Sequence, residues 1–459
     1  MKLLGRKSSL AVIMLFTLLG VWGCGEDPAE SFAKHMEQGN AYFEKDEFNK
    51  AIIEYRNAVK ANPKSAKARY QLGQSYLKTA KPREAFQQLL RTVDLNPDNL
   101  DAQLTLGNMY LAGKKPDEAK VKADVVLEKD SRNIEALFLK AGVLIQEEKF
   151  AEAKQVLKEI TSVDPERTNA FLTLANLAAR ENNYSEARDY LQEGIDAKPG
   201  DPRPRLLLAL LDEKLGNYDR AKRTLEEAID EIDEADEKQA VMGQLANFQV
   251  RRGNIEAAEA TYLKMIDLKP GEAGPMASLA TFYASRGNFE EALTWFKKAR
   301  EIEPDNLRVR NALASIYMEM GRVENARSIV DDVLAEEPDN VRGRILKAAL
   351  LIGKNEIAES AQLLDAVIQD QPENGTAHYY RGLIYNAKKD RDQAKEAFQK
   401  AVRYSPNNLT AKIRLAELYL SEGTTDLALE QIEAVLAKQP NNFEAHFLNG
   451  SVHFLKRNT

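Results

Sequence analysis

The chain has 459 residues, of which 44% are hydrophobic and 29% charged, with a formal net charge of −7 at pH 7. Acids and bases are spread along the sequence, so no clustered basic face gives the electrostatic footprint of nucleic-acid binding. The single cysteine excludes a disulfide framework within the chain and any Cys-rich zinc site.

The sequence opens "MKLLGRKSSLAVIMLFTLLGVWGC", with basic Lys2, Arg6 and Lys7 ahead of an apolar stretch from Leu10 to Val21. That stretch falls short of the roughly 17 to 25 residues a membrane-spanning helix requires. It matches instead the apolar region of a secretory signal. Cys24 follows the small Gly23, and this arrangement resembles the bacterial lipoprotein signal. The resemblance implies removal of residues 1–23, attachment of diacylglycerol to the Cys24 thiol, and a tether over residues 24–31. Trp22 departs from the pattern, which has a small residue before the glycine. Cleavage after Gly23 with an idle cysteine is the alternative. One myristoyl chain holds a protein only marginally, whereas two or more anchor it stably. Gly25, rather than Asp, after the cysteine implies by the same resemblance an outer-membrane protein facing the periplasm.

From residue 32 onward the chain repeats itself. Prolines recur at Pro63, Pro97, Pro165, Pro199, Pro270, Pro304, Pro338, Pro372, Pro406 and Pro440. The period is 34 residues; Ser131 stands where one proline would fall, and the interval Pro199 to Pro270 holds one unit of 34 and one of 37. With Phe32 as place one, place eight is always small, as in Gly39, Gly73, Ala141, Ala246 and Gly382. Place eleven is often tyrosine, as in Tyr42, Tyr76, Tyr110 and Tyr419, and place twenty is alanine in every unit but one, where Ser360 stands. Within "AKARYQLGQSYLKTAKPREAFQQLLRTVDLNP" apolar residues recur at three- and four-residue steps in two stretches, which predicts two amphipathic helices. Small residues at places eight and twenty let those helices approach, and the proline stops the second one.

This pattern resembles the tetratricopeptide repeat over residues 32–442, as twelve units. The resemblance implies an all-α fold, an α-solenoid in which about twelve helical hairpins wind into a right-handed superhelix. Units one to six are expected over residues 32–238 and units seven to twelve over 239–442. Residues 226–238, "EEAIDEIDEADEK", carry the three extra residues. A calcium loop there would need a glycine at its sharp turn, and none is present. A longer second helix in the sixth unit, with a solvated acidic face, is the expectation. Residues 443–459 restart the motif and then stop. Phe447, Leu448, Val452, Phe454 and Leu455 would make an unusually apolar cap, or a piece of an array that continues.

No catalytic constellation accompanies the repeats. The motifs G-x-x-x-x-G-K-S/T, G-x-S-x-G and H-E-x-x-H are absent. His35, His378 and His446 all occupy place four, which favours packing over metal binding, and the spacing of His446 and His453 does not suit a zinc helix. The chain is therefore expected to be no enzyme and to use no cofactor or metal.

Binding is what such an array offers. In the family, places two, five, nine and twelve of the first helix point into the groove. Mapped here, place nine gives Asn40, Gln74, Asn108, Asn176 and Asn247, and place five gives Tyr70, Phe138 and Tyr379 among others. An asparagine can donate to and accept from a peptide at once, so the row predicts a ladder for an extended chain. Place five reads equally as a groove wall or as packing against the next hairpin. Arg203, Arg308 and Arg342 at place two add charge for an acidic partner.

Signal and repeats together resemble bacterial envelope lipoproteins, and are similar to the repeat lipoproteins of exopolysaccharide and exosortase (PEP-CTERM) systems. The resemblance implies a scaffold that gathers other cell-envelope proteins or extended peptide segments, held to the membrane by its N-terminal lipid. Alternatives are service in pilus or outer-membrane-protein assembly, and direct handling of a polysaccharide, for which Phe43, Tyr70, Phe138 and Tyr379 would supply stacking rings.

Overall fold

The computed structural model describes residues 27–457, so the signal segment and Cys24 lie outside the described residues. Among the described residues the chain forms 25 α-helices and no strand, beginning with Pro28–Glu44 and ending with Phe443–Arg457. They pair as twelve hairpins, each with a first (A) and second (B) helix, followed by the lone helix Phe443–Arg457. This is the all-α solenoid expected from the repeat. Packing divides the chain into two compact units after Thr224, within helix Tyr218–Glu231. Inside each unit a helix packs on the next one in sequence, and A helices also touch the following A helix, as Leu100–Ala112 touches Ile134–Gln146. Each hairpin thus reads only its neighbours, the nearest-neighbour arrangement of a solenoid.

Small residues set the spacing inside each hairpin. Place twenty is fully buried in nearly every unit, including Ala51, Ala153, Ala258 and Ala428 at 0% exposure. Ser360, the exception, keeps the same burial because its hydroxyl donates across the hairpin to the Ala348 carbonyl at 2.9 Å. Where place eight is glycine opposite an aromatic ring, the contact leaves no room for growth. A Cβ on Gly39 would lie 2.6 Å from Tyr55, and one on Gly382 would lie 2.5 Å from Phe398.

The turn between A and B helices has one solution throughout. Place fifteen has positive φ in all twelve hairpins, at Asp46, Ala80, Lys114, Glu148, Asn182, Gly216, Gly253, Gly287, Gly321, Asn355, Lys389 and Gly423. The amide of place sixteen donates back to the carbonyl of place eleven, as Lys81 does to Tyr76 and Thr424 to Tyr419, at 2.9 Å in both. This pattern satisfies the orphan carbonyls at the end of the A helix.

The turn between units is fixed from both sides. Asn99, Asn133, Asn340, Asn374 and Asn408 cap the next A helix by accepting from the amide three residues on. Place four then reaches back to the proline carbonyl six residues earlier. Arg69, Gln103, Arg344, His378 and His446 donate to Pro63, Pro97, Pro338, Pro372 and Pro440. Two of the place-four histidines therefore act as turn clasps, and His378 is also buried beside Tyr404 at a ring separation of 5.6 Å.

Two expectations require correction. The extra residues near 226–238 do not lengthen the second helix of unit six, which keeps 14 residues as Tyr218–Glu231. Ile232 is buried at 1% exposure, and Glu234 is extended with φ −67° and ψ 119°. The chain has left the helix by then, and the extra turn goes to the next A helix, Ala235–Arg251, at 17 residues instead of the usual 13. Asp236 and Glu237 in its first turn face the positive end of the helix dipole, which favours a start there. Unit seven therefore begins ahead of residue 239. Residues 28–31, expected within the tether, belong to the first helix, which starts at Pro28 with Asp27 accepting from the Ala29 amide at 3.1 Å.

On the terminal helix Phe443, Phe447 and Phe454 are 84%, 66% and 68% exposed.

Holding an L-residue in the left-handed region costs roughly 1–2 kcal/mol, part of which glycine returns through a more flexible unfolded chain. Ala80→Gly is therefore expected to stabilise the compact unit that ends at Thr224 by about 0.5–1 kcal/mol. A thermal melt with no rise in midpoint would contradict this.

Candidate functional site

Places two, five, nine and twelve are spaced three and four apart, so they share one face of each A helix. The structure sorts the predicted ladder into two kinds of asparagine. Asn40 Oδ1 accepts from the Tyr55 hydroxyl at 2.8 Å, and Asn247 Oδ1 accepts from the Tyr262 hydroxyl at 3.2 Å. Both donors lie fifteen residues on, in the B helix of the same hairpin. Burial, with Glu44 adding, pushes the Tyr55 phenol up to about 12, and burial also raises Tyr262. Both hydroxyls thus stay protonated donors at neutral pH. Asn40 and Asn247 each commit their oxygen to one hydrogen bond inside the fold, while their side-chain amide hydrogens have no partner among the described residues.

Asn108 and Asn176 are exposed, and their side chains make no hydrogen bond among the described residues. Leu191, at the place that holds tyrosine in units one and seven, cannot donate to Asn176, and Ala123 cannot donate to Asn108. These two keep both donor and acceptor for a ligand. Gln74 is half-buried and reaches Thr105 Oγ1 at 3.4 Å, a link to the next unit.

The place-five rings are half-buried and packed on the following hairpin. Tyr70 lies against the core of Leu89, Val93, Ala102 and Leu106, and burial, reinforced by Asp101, raises its phenol above the ordinary range. Phe138 packs on the core containing Ala170 and Leu174, with the Arg167 guanidinium 6.0 Å from its centroid. Tyr379 packs on the core containing Ile413 and Ala416, edge-on to Tyr380 at 5.2 Å, and burial raises its phenol as well. Phe43 meets Phe48 edge to face at 5.2 Å. Each ring is half-buried against neighbouring side chains, which is the packing reading of place five.

At place two, Arg203 pairs with Asp201 and donates to Asn169 at 2.7 Å, while Arg342 donates to Ser315 at 3.1 Å. Burial works against the Asp201 carboxylate, but the hydrogen bonds from Arg203 outweigh it and hold that group below its usual value. Arg308 is exposed. No group of three or more His, Cys, Asp or Glu is placed to hold a metal ion among the described residues. Nor is any helix among them long and apolar enough to cross a membrane. The links that sequence reading missed are the asparagine–tyrosine pairs, and their signal was legible. Tyrosine stands fifteen residues after the place-nine asparagine in units one and seven, and not in units three and five.

A stack of near-identical helical hairpins with one repeated polar face defines a solenoid of the interaction-scaffold type. The chain belongs to the tetratricopeptide repeat family. Its models match residues 144–211, 177–240, 283–350, 317–384 and 385–448, with related repeat models over 39–79, 70–124 and 244–306. No curated protein gives a significant match. Solved structures similar to the chain include yeast Tom70, at 16% identity over 94% of this chain and 96% of that one, with a TM-score of 0.44. A tetratricopeptide repeat protein from Parabacteroides merdae is 14% identical over 62% of this chain and 98% of its own, with a TM-score of 0.41. A thermophilic repeat protein of Thermus thermophilus is 23% identical over 40% of this chain and 99% of its own, with a TM-score of 0.36.

The two kinds of asparagine separate by stability. Asn40→Ala strands the buried Tyr55 hydroxyl and should cost about 1–3 kcal/mol, whereas the exposed Asn108→Ala should stay within about 0.5 kcal/mol. Equal denaturation midpoints for the two variants would count against the assignment.

Proposed function

We propose that the chain is a lipid-anchored periplasmic scaffold whose A-helix faces gather other proteins of a cell-envelope assembly or export machine. The repeat family implies binding of protein partners or peptides. The observation that carries the reading is the free donor and acceptor capacity of Asn108 and Asn176 on the A-helix face of the first compact unit. An asparagine so placed pairs with a peptide unit regardless of the side chains it carries, with each bond contributing about 1 kcal/mol net. Support for the compartment comes from the sequence alone: the basic start, the short apolar stretch and Cys24 after Gly23. Service to an exopolysaccharide or exosortase system rests on the resemblance of signal and repeats together. Direct polysaccharide handling is the weaker reading, because the rings it would need are packed on neighbouring hairpins.

Two measurements test this. Cys24→Ser should move the protein from the membrane fraction to the soluble periplasm, and unchanged membrane retention on fractionation would refute the anchor. Asn108→Ala with Asn176→Ala should reduce the yield of envelope proteins cross-linked to the chain, with helicity by circular dichroism unaltered. A constant yield would remove the binding role of this face.

A further inference from the structure

Place five carries a bulky side chain in most units, but in units seven and eight it is Gly243 and Ala277. The missing bulk opens a cavity of about 420 Å³ between helices Ala235–Arg251 and Ala273–Ser285, within the range of a specific ligand site. Tyr262 and Met265 of helix Ile255–Leu268 line it, and Val250 and Phe282 add apolar wall. Tyr262 and Phe282 are themselves well buried and in contact at 5.4 Å, so the apolar lining is fixed in place. A Cβ on Gly243 would meet only the Met265 Cε, at 3.7 Å. The hollow is open exactly where other units insert tyrosine, phenylalanine, leucine or isoleucine of their own.

Its polar groups have a definite sense. Ser278, Thr281 and Ser285 donate their hydroxyl protons to the carbonyls of Gly274, Ala277 and Phe282, at 3.0, 2.7 and 2.7 Å. Their oxygens are left with lone pairs for a ligand. Asn247 is the converse, since its oxygen is occupied by Tyr262 and its amide hydrogens are not. The site thus offers several acceptors and one donor group, and no lining residue is charged.

We propose that this hollow is a specificity pocket for one unphosphorylated tyrosine side chain of an extended partner peptide, a proposal that rests on the peptide-binding reading above. The ring takes the volume that place-five side chains fill elsewhere. Its hydroxyl donates to a serine or threonine oxygen and accepts from Asn247 Nδ2, using both senses of a phenol. Phenylalanine fits the volume but leaves those partners unused. Phosphotyrosine brings nearly two negative charges to a site with no cation, which is unfavourable.

Saturation-transfer NMR on the full chain tests this, with N-acetyltyrosinamide as the probe. N-acetylphenylalaninamide, its alanine and phosphotyrosine counterparts, and maltohexaose serve as comparisons. The tyrosine probe is expected to bind, the phenylalanine probe about tenfold more weakly, and the others not at all. Gly243→Leu fills the hollow with a side chain that other units carry at this place, and it should abolish binding with the circular dichroism spectrum unchanged. Absence of tyrosine binding, equal binding of the phenylalanine probe, persistence in Gly243→Leu, or binding of maltohexaose in place of the peptide probes would each overturn the pocket. Cross-linking capture separates the two levels. Capture lost on replacing Asn108 and Asn176 but kept in Gly243→Leu leaves the scaffold standing without the pocket, while capture untouched by both variants removes the scaffold reading itself.

Discussion

No hairpin of this chain can bury its own apolar face, and every other feature follows from that constraint. Two helices of 13 and 14 residues expose one side however they pair, and only the next hairpin can cover it. The cost of leaving apolar area wet, about 25 cal/mol per Å², makes stacking the driving force. The tight approach inside each hairpin, seen where Tyr55 crosses Gly39, keeps successive units similar enough in thickness to stack.

Hydrophobic stacking is not directional, so register depends on polar groups at the turns. The left-handed residue at place fifteen ends the A helices, and in many units an asparagine cap and a place-four clasp onto a proline carbonyl fix the turn to the next hairpin. Different residue types perform the clasp, among them Arg69, Gln103 and His378. What they share is a donor on a side chain long enough to span six residues. Where place four is Leu137, Phe171, Met242 or Met276 no clasp forms, and the side chain is buried instead.

The architecture was legible in the sequence because it is periodic. Proline spacing, small places eight and twenty, and helical patterning each recur many times, and repetition makes a weak local signal decisive. Single events were harder to read. The extra turn could be placed in either flanking helix by composition alone, and the break after Glu231 with extended Glu234 settled it. The asparagine row looked uniform in one dimension, yet a tyrosine fifteen residues away decides whether each member is a structural acceptor or an open one. The hollow at Gly243 and Ala277 was hidden for another reason: it is made by what two residues lack, and it needs both neighbours to have a shape.

Some steric matches lie within single units, such as Gly39 with Tyr55 and Gly382 with Phe398, while the tightest, Gly107 with Leu139, joins one hairpin to the next. A segment copied or lost in steps of one period carries both halves of the first kind of match with it, but parts the second. Interiors survive such a change by whole modules, and the demand for a new fit falls on the junctions alone.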